Sequence, residues 1–315
     1  MRRIARSLIA TGTVLPLLIL LAASGPLAQE SPDRDAWLEA DDPAEETADA
    51  PVETETPGVD LGPARDLVRA NKLDEAATKL ESLRIENPAD PALLTLLGEV
   101  YVATERFDEG VAVLTEAGEI APDRDRIHFQ LGTALASLGK PEEALEAFAG
   151  ELTRSEDPQV LVLTRLNRSL LLQRLNRWAD AAAELEGVLQ FEPDRVNVYG
   201  DLASLYIQAG ETDLALRALE RGRDVGFGSA PHWYSVGARL FSEERFEEAA
   251  EAFSGALEVS PDRPDAERSL AATLDRLGRT EEAAAHFRRY LELRPDAADR
   301  DKVERQLAEY GGSHP

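Results

Sequence analysis

The chain repeats one short phrase at a nearly constant spacing, and this repetition limits its fold more than any other feature. The phrase is a basic or polar residue, any residue, two mostly acidic positions and a small residue. The small last residues are 34, 34, 37, 34, 34 and 34 positions apart, and they are Ala76, Gly110, Ala144, Ala181, Ala215, Ala249 and Ala283. A unit this short cannot bury its own apolar face, so the repetition predicts seven stacked units that share a continuous core.

Each unit is predicted to be two helices, because its apolar residues recur at three and four places and Pro or Gly marks its ends. In the second unit, Leu94, Leu97 and Tyr101 share one helix face. The pair Pro122 and Asp123 is expected to end the second helix and to cap its successor, since Pro cannot continue a helix and Asp accepts N–H bonds. The same part is assigned in other units to Pro88, Pro193, Pro261 and Pro295.

This period and punctuation resemble the tetratricopeptide repeat, whose pattern is Trp-x2-Leu-Gly-x2-Tyr, then Ala-x3-Phe, then Pro. The sixth unit carries the match at Trp233, Val236, Gly237, Leu240, Ala249, Phe253 and Pro261. The resemblance implies an all-α, right-handed superhelical solenoid of about seven tandem helix-turn-helix repeats plus a C-terminal cap helix. The implied units are 57–90 (a degenerate cap), 91–124, 125–161, 162–195, 196–229, 230–263 and 264–297, followed by a cap helix and tail at 298–315.

The N-terminus has the layout of a secretory signal peptide at residues 1–28. Three arginines within the first six residues precede an apolar run from Leu8 to Ala23. The preferred cleavage site lies between Ala28 and Gln29, and cleavage after Ala23 stays open. An uncleaved membrane anchor is the alternative, because the run is only a little shorter than the ~20 residues that span a bilayer. The body of the protein is expected to be exported, and the preference for Arg over Lys indicates a high-GC bacterium and therefore the periplasm.

Residues 29–60 are predicted to be an acidic disordered linker. The segment contains twelve acidic residues, one basic residue (Arg34) and four prolines, and it lacks apolar periodicity. Such a segment cannot bury enough surface to offset its ordering entropy. Within it, Trp37 is either a short docking motif or an incidental residue.

Composition excludes several classes of function. The net charge of −26 disfavours nucleic-acid binding, which needs clustered Lys and Arg, and the same holds for anionic lipid headgroups. A membrane link is therefore expected only through the N-terminal segment, if it is uncleaved. With no cysteine, disulfides, zinc knuckles and thiol nucleophiles are ruled out.

No residues are predicted to be catalytic, to ligate a metal or to bind a cofactor. The four histidines, His128, His232, His286 and His314, are isolated in the sequence and form no His-Glu-x-x-His motif. Gly139-Lys140 is followed by Pro141, so it does not form a phosphate-binding loop. We therefore expect a protein that is not an enzyme.

The resemblance also implies that the first helix of each repeat lines a concave groove that receives partner segments. Mapped onto this chain, the groove candidates are Arg126, Phe129, Gln130, Thr133, Asn167, Arg174, Asn197, Asp201, Gln208, Tyr234, Phe241, Arg268 and Arg276. The aromatic members, Phe129, Tyr234 and Phe241, are expected to anchor apolar side chains, and the Arg and Asn residues to hold carbonyls or carboxylates.

These features favour a non-enzymatic scaffold or adaptor that binds envelope proteins in its groove. One alternative is a membrane-anchored structural component of an export or polymer-assembly complex. A lesser alternative is a solenoid that binds a glycan or small ligand. That lesser alternative requires the groove aromatics Phe129, Tyr234 and Phe241 to be accessible.

Overall fold

The computed structural model describes residues 59–124 and 126–312, and every regular element within them is an α-helix. The predicted signal peptide and nearly all of the predicted linker lie outside the described residues. The helices are α1 Gly62–Arg69, α2 Leu73–Glu86, α3 Pro91–Ala103, α4 Phe107–Ile120, α5 Ile127–Ser137, α6 Pro141–Arg154, α7 Pro158–Arg174, α8 Trp178–Leu189, α9 Val196–Ala209, α10 Thr212–Asp224, α11 Ala230–Ser242, α12 Phe246–Val259, α13 Pro264–Arg276, α14 Thr280–Leu293 and α15 Arg300–Gly312. The expected all-α array of helical hairpins is confirmed.

The described residues form two compact units, unit 1 up to Leu171 and unit 2 from Leu172 onwards. In unit 1, α1 to α6 form three antiparallel hairpins in chain order, and the first helices α3 and α5 also contact each other. Its core is built from leucine, valine and isoleucine side chains such as Leu80, Leu93, Leu97, Val113 and Ile127. Burying each of these side chains stabilises the fold by about 2 kcal/mol.

Unit 2 repeats this arrangement with the hairpins α9/α10, α11/α12 and α13/α14. The first helices again lie side by side, since α11 contacts both α9 and α13. The last helix, α15, packs against α14, where Val303 joins a small core with Phe287 and Tyr290. Unit 2 therefore presents four neighbouring helices, α9, α11, α13 and α15, on the side away from the second helices of its hairpins.

In the hairpins α5/α6 and α11/α12, a glycine lets the two helices approach closely. A Cβ atom at Gly132 of α5 would lie 2.7 Å from the ring of Phe148 on α6, and one at Gly237 of α11 would lie 2.8 Å from Phe253 on α12. Since real Cβ contacts are never this short, only glycine allows the aromatic ring to lie against the first helix. These pairs are the glycine and phenylalanine of the repeat pattern.

The helix that begins at Ile127 is not capped as the sequence predicts. Asp90 does cap α3, because its Oδ1 accepts a 2.9 Å hydrogen bond from the N–H of Leu93. At α5 the N-cap residue is Arg126, in the left-handed conformation (φ 75°), and Asp123 makes no capping bond. The prediction for Asp123 is therefore wrong, because the N–H groups of Arg126 and Phe129 donate to the carboxylate of Glu151 on α6 instead. The N-termini of α9 and α13 also lack a side-chain cap.

Candidate functional site

Seven of the predicted groove residues lie on α9, α11 and α13, and all seven remain wholly or partly accessible to solvent. We call this surface, together with the neighbouring side of α15, the first-helix face of unit 2. Its predicted members are Asn197, Asp201, Gln208, Tyr234, Phe241, Arg268 and Arg276.

Asp201 is the most perturbed acid of this face. Its side chain is accessible to solvent, yet protein surrounds it closely enough to disfavour the charged form. This desolvation raises the pKa of Asp201 to about 6, against the opposing field of Arg195. Desolvation therefore favours the neutral carboxyl, which can donate a hydrogen bond to a partner where a carboxylate only accepts one.

An aromatic pair and an arginine form a second feature, contributed by three successive helices. The ring of Phe241 on α11 meets the ring of Phe246 on α12 edge to face, with centroids 5.4 Å apart. The guanidinium of Arg276, on α13, lies 4.3 Å from the centroid of the Phe246 ring. Arg276 is exposed and forms no ion pair among the described residues. Its planar group is thus held in place by the ring while its donors stay available, which is a suitable arrangement for binding a carboxylate or a peptide carbonyl.

Tyr234 is only partly available to a partner. One side of its ring packs on Phe253, with centroids 5.5 Å apart, and the guanidinium of Arg263 lies 5.4 Å from its centroid. The phenol oxygen is 3.4 Å from Oγ of Ser269 on the next first helix. Tyr234 therefore links α11 to α13 as well as contributing to the surface.

Arg268 is committed to fastening α15. Its Nε donates a 2.5 Å hydrogen bond to Oδ2 of Asp299, whose Oδ1 accepts a 2.6 Å bond from the hydroxyl of Tyr290. These two donors lower the pKa of Asp299 below its ordinary value. Further along, the hydroxyl of Tyr310 donates to Asp275 at 2.5 Å. The C-terminal helix is therefore tied to α13 at both of its ends, and it closes the face.

In unit 1 the predicted groove residues are mostly inaccessible, which corrects the expectation for four of them. Phe129 is 2% exposed, and its ring packs 6.0 Å from that of Phe148, so it cannot anchor a partner side chain. Thr133 is completely buried and donates to the carbonyl of Phe129 at 3.0 Å. Asn167 and Gln130 are also buried, at 4% and 3% exposure.

The two remaining groove candidates, Arg126 and Arg174, are neither fully buried nor on the first-helix face of unit 2. Arg126 is half-buried, and its backbone N–H donates a 2.7 Å hydrogen bond to Oε1 of Glu151, so its main chain is used for the fold. Arg174 lies exposed in the last turn of α7. Neither belongs to the surface of α9, α11 and α13.

The sequence prediction named Arg126 but missed the charged cluster to which it belongs, on the first helices of unit 1. Glu99 of α3 accepts a 3.4 Å hydrogen bond from Nε2 of Gln130 on α5. Desolvation raises the pKa of Glu99, and the positive fields of Arg126, Arg65 and Arg124 oppose that shift. The repeat register could have indicated this cluster, because Arg65 and Glu99 occupy the same repeat position, 34 residues apart.

No cluster of three or more His, Asp or Glu side chains is placed to hold a metal ion within residues 59–124 and 126–312. Ser229 Oγ and His232 Nδ1 lie 2.6 Å apart at the start of α11, a local contact between residues three apart, and burial lowers the pKa of the imidazole. Over the same described ranges, none of the helices has the length and apolar character needed to span a bilayer.

Comparison with known proteins agrees with the geometry. Models of the tetratricopeptide repeat match residues 67–128, 172–240 and 240–307, and a second such model matches 103–159. A solved structure of Naa15/Naa10 bound to HypK-THB superposes with a TM-score of 0.60 at 16% identity, covering 80% of this chain and 39% of that one. This likeness concerns the fold alone.

Two curated relatives are similar over roughly two hundred residues. The tetratricopeptide repeat-containing protein trd-1 of Caenorhabditis elegans is 24% identical over 198 residues, covering 62% of this chain and 24% of the relative. The human protein O-mannosyl-transferase TMTC1 is 26% identical over 201 residues, covering 62% of this chain and 22% of the relative. The chain thus spans about a quarter of the length of these two proteins. Because the repeat models match well over half of its residues, the chain belongs to the tetratricopeptide repeat family, whose repeats generally serve as protein–protein interaction scaffolds.

Proposed function

We propose that this protein is an exported, non-enzymatic scaffold that binds a segment of another envelope protein on the first-helix face of unit 2. The observation that carries the proposal is the contrast between the units. The candidate positions on α9, α11 and α13 are accessible, whereas Phe129, Gln130, Thr133 and Asn167 of unit 1 are buried. A partner segment therefore has a surface of polar and aromatic side chains available in unit 2.

The chemistry of the face favours an extended peptide with mixed side chains. Phe241 offers a partly accessible aromatic ring, and Arg276 offers guanidinium donors for a carboxylate or a main-chain carbonyl. Asn197 and Gln208, both exposed on α9, supply amide groups that pair with a peptide backbone. Such a mixture of one apolar anchor and several hydrogen-bonding groups is typical of a protein-binding surface.

Export to the periplasm is part of the proposal and depends on the N-terminal sequence. The basic start, the apolar run and the small residues that follow it support a secretory signal. Fractionation of cells that produce a C-terminally tagged protein, followed by mass measurement of the mature chain, tests it. A periplasmic protein that begins at Gln29 is expected, whereas an intact Met1 in the membrane fraction would favour the anchored alternative.

In-cell photo-cross-linking tests the binding surface. A photoreactive amino acid is placed at Gln208 or at Ala238, both exposed on first helices, and as matched controls at Arg217 or at Arg288, both exposed on second helices of the same unit. We expect one recurrent envelope protein to be captured from the first two positions and not from the controls. Equal capture from all four positions would contradict the proposed surface.

A further inference from the structure

The first-helix face of unit 1 holds three arginines whose positive fields act on a single carboxylate, that of Glu99. Arg65 on α1 and Arg124 before α5 are exposed, and Arg126 is half-buried. Among the described residues, none of the three forms an ion pair, although many arginines of this acidic chain do, as Arg106 does with both Glu81 and Glu109 at 3.1 Å. We call Arg65, Arg124 and Arg126 the arginine triad.

The register of the repeats brings the triad together. Arg65 and Glu99 occupy equivalent positions of successive first helices, and Ala64 beside Arg65 shares one core with Leu97 of α3. Glu99 in turn is bonded to Gln130, one turn after Arg126 in α5. The positive fields of all three arginines therefore reach one carboxylate, that of Glu99, whose charged form is disfavoured by desolvation.

The chain carries a complementary segment directly before this surface. Residues 29–58 contain eleven acidic residues and one arginine. The segment joins the described body at Val59, which packs against the core of unit 1 six residues before Arg65. The next residue, Asp60, is already engaged, since its Oδ1 accepts a 2.9 Å hydrogen bond from the N–H of Gly62.

We propose that the acidic segment 29–58 docks on the first-helix face of unit 1, where its carboxylates pair with Arg65, Arg124 and Arg126. The segment is long enough to reach from α1 to α5. Neighbouring helices lie about 8–10 Å apart, so α5 is about 20 Å from α1, and six extended residues span that distance. Glu53, six residues before Val59, therefore reaches the far side of the triad, and Glu55, four residues before Val59, reaches the nearer part. The acids at 45, 46 and 49 lie on a longer stretch of chain that also reaches all three arginines.

The net charge of the chain favours its own segment over a separate acidic partner. At −26 the protein repels a free anion or acidic peptide at long range. A tethered segment offsets this repulsion, because the short tether gives it an effective concentration in the mM range. Docking would cover the first-helix face of unit 1 and leave that of unit 2 as the surface open to other proteins.

Distance measurement between two spin labels tests this docking. The natural chain has no cysteine, so nitroxides can be attached at Thr47→Cys in the segment and at Thr115→Cys, an exposed position of α4. In the parent at low salt we expect a narrow distance distribution. In the triple variant R65Q/R124Q/R126Q we expect the broad distribution of a free twelve-residue tether, with a width of roughly 20 Å.

Two further variants distinguish docking on the triad from a general effect of removing charge or altering the folded body. R217Q/R288Q/R305Q removes the same charge from three exposed arginines of unit 2 and should keep the distribution narrow. The variant E45Q/E46Q/D49N/E53Q/E55Q leaves the described body unchanged and should broaden the distribution as the triad variant does. A broad distribution of label-to-label distances in the parent would overturn the proposal. A distribution that stays narrow in the variant R65Q/R124Q/R126Q would also overturn it. Loss of the narrow distribution on dilution with unlabelled protein would also overturn it, because the contact would then be between chains.

Discussion

The carboxylate of Glu151, on α6, accepts a 2.9 Å hydrogen bond from the backbone N–H of Phe129, in the first turn of α5. Its other oxygen accepts a 2.7 Å bond from the N–H of Arg126, and the side chain is 1% exposed. The second helix of this repeat thus satisfies the free N–H groups of the first helix, whose positive end also stabilises the charge. A tertiary contact here replaces the local cap that the sequence favours.

Replacing Glu151 with alanine is expected to destabilise unit 1 by about 1–3 kcal/mol, since it leaves the buried N–H of Phe129 and the half-buried N–H of Arg126 unpaired. Urea unfolding followed by circular dichroism measures the change. Glu146→Ala removes a carboxylate from an exposed position of the same helix and should change the stability by less than about 0.5 kcal/mol. Equal effects of the two substitutions would show that the contact does not stabilise α5.

The close approach of α5 and α6 predicts a second difference between two glycines. Gly132→Ala places a Cβ atom 2.7 Å from the ring of Phe148, so a loss of about 1–3 kcal/mol is expected from overpacking. Gly118→Ala, in α4, meets its nearest neighbour at an ordinary 3.4 Å. That change should be neutral or stabilising by up to about 1 kcal/mol, because alanine favours helix. Thermal unfolding of both variants and of the parent measures the two changes in stability. A Gly132→Ala protein as stable as the parent would contradict the close packing of α5 on Phe148.

Much of the fold follows from the repeat register, because the pattern fixes which side chains meet inside a hairpin. Gly132 and Phe148, or Gly237 and Phe253, lie sixteen residues apart in their repeats and meet as the register requires. The cap at α5 did not follow, because Glu151 lies 25 residues from Arg126 and belongs to no local motif. Local patterns cannot identify a contact that arises only when helices pack.

The site was predicted less well, because a polar side chain on a first helix is not necessarily exposed. Thr133 and Asn167 satisfy their own hydrogen bonds within the helix, to the carbonyls of Phe129 and Leu163. They can therefore be buried without cost to polar pairing. Of the arginine triad only Arg126 was predicted. Arg65 was missed for another reason, since it lies in α1, which is only eight residues long and whose repeat is the most degenerate.

The raised pKa of Asp201 predicts a pH-dependent stability. Its folded pKa of about 6 exceeds the ordinary value of 3.8, so the folded chain holds a proton that the unfolded chain releases. The resulting contribution is present below about pH 4 and is lost as the pH rises through about 6. Asp201→Asn, which imitates the protonated acid, should therefore stabilise the protein relative to the parent at about pH 7.5 and hardly at all at about pH 4.

Urea midpoints of the parent and the Asp201→Asn variant at the two pH values provide the measurement. Because all other titrating groups are common to both proteins, the difference between them reports Asp201. The same difference at both pH values would contradict the environment assigned to this carboxyl.

The most direct test of the account is the affinity of the cross-linked partner segment for variants of the two surfaces of unit 2. Gln208→Ala and Arg276→Ala each remove an exposed donor from the first-helix face, and Arg217→Ala and Arg288→Ala remove exposed arginines from second helices. We expect the double variant Q208A/R276A to weaken binding about tenfold or more, which corresponds to about 1.4 kcal/mol, and R217A/R288A to leave it within about twofold. Unchanged affinity in Q208A/R276A, or an equal loss in both double variants, would contradict binding on the first-helix face.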